Sequence, residues 1–221
     1  MLWLALDGAL GAFSAAVVAS DGAIAPRQAA TAGNDALERG LGVIDEALAG
    51  LPFSEIGALA VGTGPGGFTG LRIALSYAKS LAFAAGLPLA GISSYDAIEP
   101  AAAAGTCATF VHGRAGIACV RLRAGAEPFT TCGSYEALAQ ALAARLPPNC
   151  ELICYGSAQG AAPALGERGI IVRAMPLEPG VPALAIARRA ILRGVAAGPH
   201  SVVADYGEEP HYAARSGDPR G

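Results

Sequence analysis

The chain has 221 residues, 53% of them hydrophobic, and a formal net charge of −3. It can therefore bury a large core, as one long domain or two small lobes, and carries no electrostatic footprint for nucleic acid. One lysine, Lys79, and scattered arginines argue against direct tRNA or DNA binding by this chain alone, and no apolar run is long enough to span a bilayer without interruption.

The N-terminal run from Met1 reaches Asp7 with no basic segment ahead of it, so it reads as a strand rather than a signal peptide, and the chain is expected in the cytosol. Strand-like runs at 2–7, 12–19 and 23–29 form a meander, separated by the glycines from Gly8 to Gly11 and by the hairpin signal Asp21-Gly22. A helix follows from about 34 or 35 to 49, with Asn34 as cap and Gly50 and Pro52 as stop. Leu37, Leu41, Ile44 and Leu48 make its larger apolar face, and Ala36, Gly40, Val43 and Ala47 make a second stripe of small residues. Such a helix is expected to pack on two sides.

The apolar run 56–61 reads as a strand covered on both faces, and it leads into Gly62-Thr63-Gly64-Pro65-Gly66-Gly67-Phe68-Thr69-Gly70-Leu71-Arg72. Thr69 is expected to cap a helix running to about Ala85 and stopping at Gly86. Gly62, Gly64 and Gly67 satisfy G-x-G-x-x-G, but Pro65 interrupts the turn and no acidic strand end follows at the distance a dinucleotide site needs. Phe68 and Thr69 stand where a P-loop needs lysine and a hydroxyl. The loop therefore reads as shaped for a contact rather than for phosphate. On the helix, Leu71, Leu75, Ala78, Ala82 and Ala85 form one face, while Ile73, Tyr77, Ser80 and Ala84 form a neighbouring stripe that suits a partner. A strand at 87–92 and an alanine-rich helix at 94–104 end the first half.

The second half repeats this plan. Asp7 to Ser14 aligns with His112 to Cys119, with glycines at matching offsets, so two similar hairpins open two similar α/β lobes, at 1–104 and 105–221. Strands are expected at 107–111, 117–122, 128–131, 152–155 and 170–172, and helices at 134–145, 157–165 and 182–196; the tail from Gly198 is expected to lie along the surface or fray.

Five cysteines at irregular spacing, Cys107, Cys119, Cys132, Cys150 and Cys154, read as small core hydrophobes rather than a disulfide framework. His112, His200 and His211 are too far apart to suggest a metal site. Ser76 and Lys79 spell S-x-x-K, but without S-D-N or K-T-G they read as two polar positions on a helix surface. No catalytic residue is expected.

A duplicated β-β-β-α-β-α pattern resembles the superfamily of acetate kinase, sugar kinases, Hsp70 and actin (ASKHA). Gly64 to Ile73 then resembles the G-P-G-S-F-T-G-[LV]-R-[IV] signature of the TsaB family, also called YeaZ, and Glu209-Pro210-His211-Tyr212 echoes that family's tail. Gly8, Gly67 and His112 depart from the family's usual Thr, Ser and Asp.

The resemblance implies a non-catalytic paralogue of TsaD that works with TsaD, the ATPase TsaE and a threonylcarbamoyl-AMP synthase. Together these make N6-threonylcarbamoyladenosine in tRNAs reading codons that begin with A. It implies that the two long helices of the first lobe meet TsaD, or a second copy when TsaD is missing, that tRNA is reached only through the complex, and that ATP or ADP binds only there. TsaD-like proteins hold a metal through an H-x-x-x-H helix; the corresponding helix here has no histidine. An independent ATP-dependent kinase or ATPase of the same superfold is the alternative, and a peptidase is third, lacking any nucleophile–base pair at readable spacing.

Overall fold

Each half of the chain builds a five-stranded mixed sheet in the computed structural model, which describes residues 1–31, 36–100, 105–113, 115–177, 179–194 and 197–207. In the first, β1 (Leu2–Asp7), β2 (Ser14–Ala19) and β3 (Arg27–Ala30) form the antiparallel meander. The strands β4 (Ile56–Gly62) and β5 (Leu89–Ile92) add in parallel beyond β1, giving the order β3-β2-β1-β4-β5. In the second, β6 (Cys107–His112), β7 (Ile117–Arg123), β8 (Phe129–Ser134), β9 (Glu151–Gly156) and β10 (Ile171–Ala174) repeat that order and those directions. The turns differ in length: Asp7 pairs with Ser14, but His112 pairs with Ala118, so the second hairpin closes one residue earlier than the sequence alignment predicts.

Strand alternation sets the layers. Leu4 and Leu6 of β1 and Leu59 and Val61 of β4 face the core beneath α1 (Ala36–Leu48) and α2 (Phe68–Ala85). Trp3, Ala5, Ala58 and Ala60 face the other way, onto α6 (Pro182–Arg193), where the run of alanines lets that helix approach closely. Both faces of the first sheet are thus covered, as the unbroken apolar runs predict. In the second lobe α4 (Tyr135–Ala143) and α5 (Ala162–Gly166) cover one face, and α3 (Ser94–Ile98) lies against β6 and α6.

Several expectations are corrected. Gly67, not Thr69, stands at the N-cap of α2, so Thr69 lies in its first turn. The helix expected at 94–104 ends at Ile98, where Glu99 turns extended before Pro100; residues 101–104 lie outside the described residues, as do Asn34, His211 and Glu209-Pro210-His211-Tyr212. The expected helix 157–165 is a 3-10 turn at Ala158–Gly160 followed by α5. The helix from Pro182 stops at Gly194, which adopts a left-handed conformation, and it packs on the first sheet rather than its own lobe. The following segment also returns to the first lobe: Ala197 and Leu89 exchange backbone hydrogen bonds, and Asp205 N–H donates to Thr63. Thus α6 and the segment after it, though they follow the second sheet in the chain, pack on the first.

The cysteine reading is corrected too. Cys119 and Cys132 lie directly opposite each other on β7 and β8 and form a disulfide, because antiparallel register brings together positions 13 apart that spacing alone does not pair. Cys107 and Cys154 are buried free thiols, as expected of small apolar residues.

Candidate functional site: the glycine loop and its flanking helices

The loop after β4 is built into the protein through its backbone. Thr63 N–H donates to Ile92, Thr63 carbonyl accepts from Asp205, Gly64 carbonyl accepts from Ser94 at 2.7 Å, and Gly67 N–H donates to the Ala9 carbonyl at 2.8 Å. The Gly64–Pro65 peptide is cis. Gly66 holds φ +153°, and any Cβ there would overlap the Ala9 carbonyl. Gly8 and Gly70 press backbone to backbone so tightly that a Cβ on either would overlap the other's carbonyl. The Gly67 N–H that a phosphate cradle would present to an anion is thus already bonded to the first hairpin, and the loop is a docking joint between that hairpin and α2. Gly62 and Pro65 are buried within it, while Phe68, Thr69 and Arg72 are exposed.

Asp7 ends β1 beneath this joint, fully buried. Its Oδ2 accepts from Leu10 N–H at 3.0 Å, whereas Oδ1 has no hydrogen-bond partner and points at Gly62, where a side chain would collide with it. Burial pushes the carboxyl up to about 6, opposed only by the backbone N–H groups of Leu10, Ala9 and Gly8. The buried Ser14 hydroxyl accepts from Ala183 N–H in the first turn of α6, so the first hairpin also anchors the helix on the opposite face of the sheet.

The stripe residues divide. Ile73 and Tyr77 are half-buried, and Ser80 and Ala84 are exposed. On α1, Gly40, Val43 and Ala47 of the small-residue stripe are buried in this chain's own core, with Val43 only 1% exposed; the side chain of Ala36 lies outside the described residues. Gly40 is where α1 and α2 touch, since a Cβ there would lie 2.7 Å from the Tyr77 ring, which also meets Phe13 edge-on at 5.9 Å. Leu41, on the larger apolar face of α1, is 58% exposed, and Phe83 on α2 is 72% exposed.

Two groupings were missed from sequence. Arg72 lies over the Phe68 ring at 4.8 Å, and Phe68 stacks on Tyr206 at 5.2 Å, forming an exposed cation–aromatic column at the start of α2. Asp96, Glu99, Arg121, Arg123, Arg189 and Arg193 meet where α3, β7 and α6 converge. An arginine in the middle of the apolar strand run of β7 was the signal for it. Between the lobes, a cleft of about 500 Å³ is lined by Ala9 to Ala12, His112, Gly113, Gly156 and Gly180. Its His112 ring nitrogen lies 3.1 Å from the Tyr135 hydroxyl. Among the described residues no group of three or more His, Cys, Asp or Glu is placed to hold a metal ion, and no helix is long and apolar enough to cross a membrane.

Two mixed sheets of the same strand order, each with helices packed on it, define a duplicated α/β lobe architecture. The sequence model of TsaD, tRNA N6-adenosine threonylcarbamoyltransferase, matches residues 12–142, more than half of the chain, and the chain belongs to that family. Partial matches fall on TsaB proteins and on a transferase alike. The tRNA threonylcarbamoyladenosine biosynthesis protein TsaB of Haemophilus influenzae is 48% identical over 67 residues, covering 29% of this chain and 28% of that protein. A tRNA N6-adenosine threonylcarbamoyltransferase of Moorella thermoacetica is 52% identical over 52 residues, 23% of this chain and 15% of that one. These matches span less than a third of either relative. In structure, YeaZ from Pseudomonas aeruginosa superposes with a TM-score of 0.67 at 22% identity, over 93% of this chain and 99% of that one. A second Pseudomonas aeruginosa structure, described as similar to peptidase YEAZ, gives 0.68 at 21% over 94% and 99%.

Proposed function

We propose that this chain is a non-catalytic subunit that binds a TsaD-like partner and supports formation of N6-threonylcarbamoyladenosine in tRNAs reading codons that begin with A. The observation that carries the reading is the outer surface of α1 and α2. Beside the signature loop, these helices leave Leu41, Ser80, Phe83 and Ala84 in solvent, on elements otherwise rigidly held by the core. A large exposed apolar residue on each of two adjacent helices is what a helix-on-helix contact needs. On the same helices Ile73 and Tyr77 are half-buried, and Gly40, Val43 and Ala47 are buried in the core. In this reading a TsaE-like ATPase joins the complex, a second copy of the chain occupies the surface when the partner is missing, and ATP or ADP and tRNA are engaged only by the assembly.

Co-purification tests it directly. A TsaD-like protein from the same cell should elute with this chain on size-exclusion chromatography and form threonylcarbamoyladenosine in vitro only when this chain is present. Full activity of the partner without it would refute the proposal. The cleft between the lobes favours a second reading, an ATP-dependent kinase or ATPase. Clear ATP turnover by the purified chain alone would select that one.

A further inference from the structure

We infer that the pocket where α3, β7 and α6 converge is a binding site for a phosphoryl group. Six charged side chains enclose about 260 Å³ there, several times the roughly 30 Å³ that one water occupies in the liquid. Two of them are carboxylates, and both are already engaged. Asp96 Oδ1 accepts from Arg121 Nη1 at 2.8 Å and Oδ2 from Arg193 Nη2 at 2.6 Å. Glu99 Oε2 accepts from Arg121 Nη2 at 2.6 Å and from the Thr109 hydroxyl at 2.9 Å, while its Oε1 faces Arg123 Nε at 2.5 Å. The four guanidiniums, of Arg121, Arg123, Arg189 and Arg193, therefore outnumber the carboxylates by two.

An ion latch serving only to hold the lobes together would need two arginines for two carboxylates; two more add repulsion unless something anionic enters. Arg189 spends its Nε and one Nη on the backbone carbonyls of Asp96 and Glu99, which fixes its charge beside the pocket without neutralising it. Arg121 is 8% exposed, and its Nε has no hydrogen-bond partner. Arg123 and Arg193 are half-exposed, and each has terminal N–H groups that bond to no described residue. Several forked donors around a concave, net-positive pocket suit a phosphate, whose oxygens accept bidentate pairs from guanidinium.

Isothermal titration of the full chain with inorganic phosphate and with pyrophosphate tests the assignment. Saturable binding by the wild type should weaken about tenfold or more in Arg123→Gln and in Arg193→Gln, the loss expected of a charge-assisted hydrogen bond. Arg145→Gln, over the Phe129 ring on the opposite face of the second sheet, should bind like wild type. Thermal melting checks that each variant is folded. Arg193→Lys, which keeps the charge and loses the fork, replaces Arg193→Gln if that variant is unfolded, and should also bind more weakly. Displacement of phosphate by a short single-stranded RNA would assign the phosphoryl group to a polynucleotide backbone; preference for pyrophosphate with no displacement would assign it to a free nucleotide. No saturable binding of either anion, or equal binding by wild type and both variants, overturns the inference.

Discussion

Asp7→Asn should make this protein more stable at neutral pH and leave it nearly unchanged in acid. The carboxyl is completely buried, and its position near 6 in the folded state stands against an ordinary value of 3.8. That gap of about two pH units corresponds to about 3 kcal/mol. Well below pH 4 the group is protonated in both states and costs nothing on ionisation. As pH rises to about 6 the unfolded chain ionises first, so folding stability falls by up to about 3 kcal/mol and then levels off. Asparagine cannot ionise, and its amide oxygen can still accept from Leu10 N–H. Urea unfolding of both proteins between pH 4 and 8 should show the stability difference growing by about 3 kcal/mol in favour of the variant, with its midpoint between pH 4 and 6. Asp96 works in the opposite sense: burial raises its carboxyl, but hydrogen bonds and charge from Arg121 outweigh that and hold it low. Its contribution is lost in acid and cancels between the two proteins. A difference independent of pH would show that the Asp7 carboxylate is solvated or paired after all.

Gly66→Val should prevent the loop from seating on the first hairpin, because its Cβ overlaps the Ala9 carbonyl; loss of cooperative melting is the expected result, and a normally folded variant refutes the docking role of this loop. Gly40→Val should destabilise by about 1–3 kcal/mol through overpacking against the Tyr77 ring, read from urea midpoints. Ser80→Arg adds a long cation to an exposed position of α2, so the isolated monomer should melt within a few degrees of wild type, while self-association and TsaD-like binding are lost on size-exclusion chromatography. A large fall in monomer melting temperature, or undiminished complex formation, would place the partner surface elsewhere.

The elements that local chemistry specifies were legible in the sequence. Strand β1 begins and ends where its apolar run does, α2 ends at Gly86 in the left-handed conformation that a helix-terminating glycine supplies, and the repeat of hairpins foretold two sheets of the same order. The glycine loop announced a contact through its composition alone. What it contacts came from tertiary structure, because the Gly8–Gly70 and Gly66–Ala9 approaches join segments more than 50 residues apart.

Helix periodicity found two apolar stripes on α1 but not which one the sheet would cover; the lobe buries Gly40, Val43, Ile44 and Ala47 and leaves Leu41 outside, since small residues let α1 lie close to α2 and β2. The pairing of Cys119 with Cys132 depended on strand register, and the return of α6 to the first sheet depended on the alanine-lined face that awaited it. Sequence thus determined the periodicities, turns and repeat, which are properties of neighbouring residues. Only the tertiary structure decided the facing of helices, the partner of each cysteine and the company of four arginines, because each is settled by which distant surface arrives to bury or meet it.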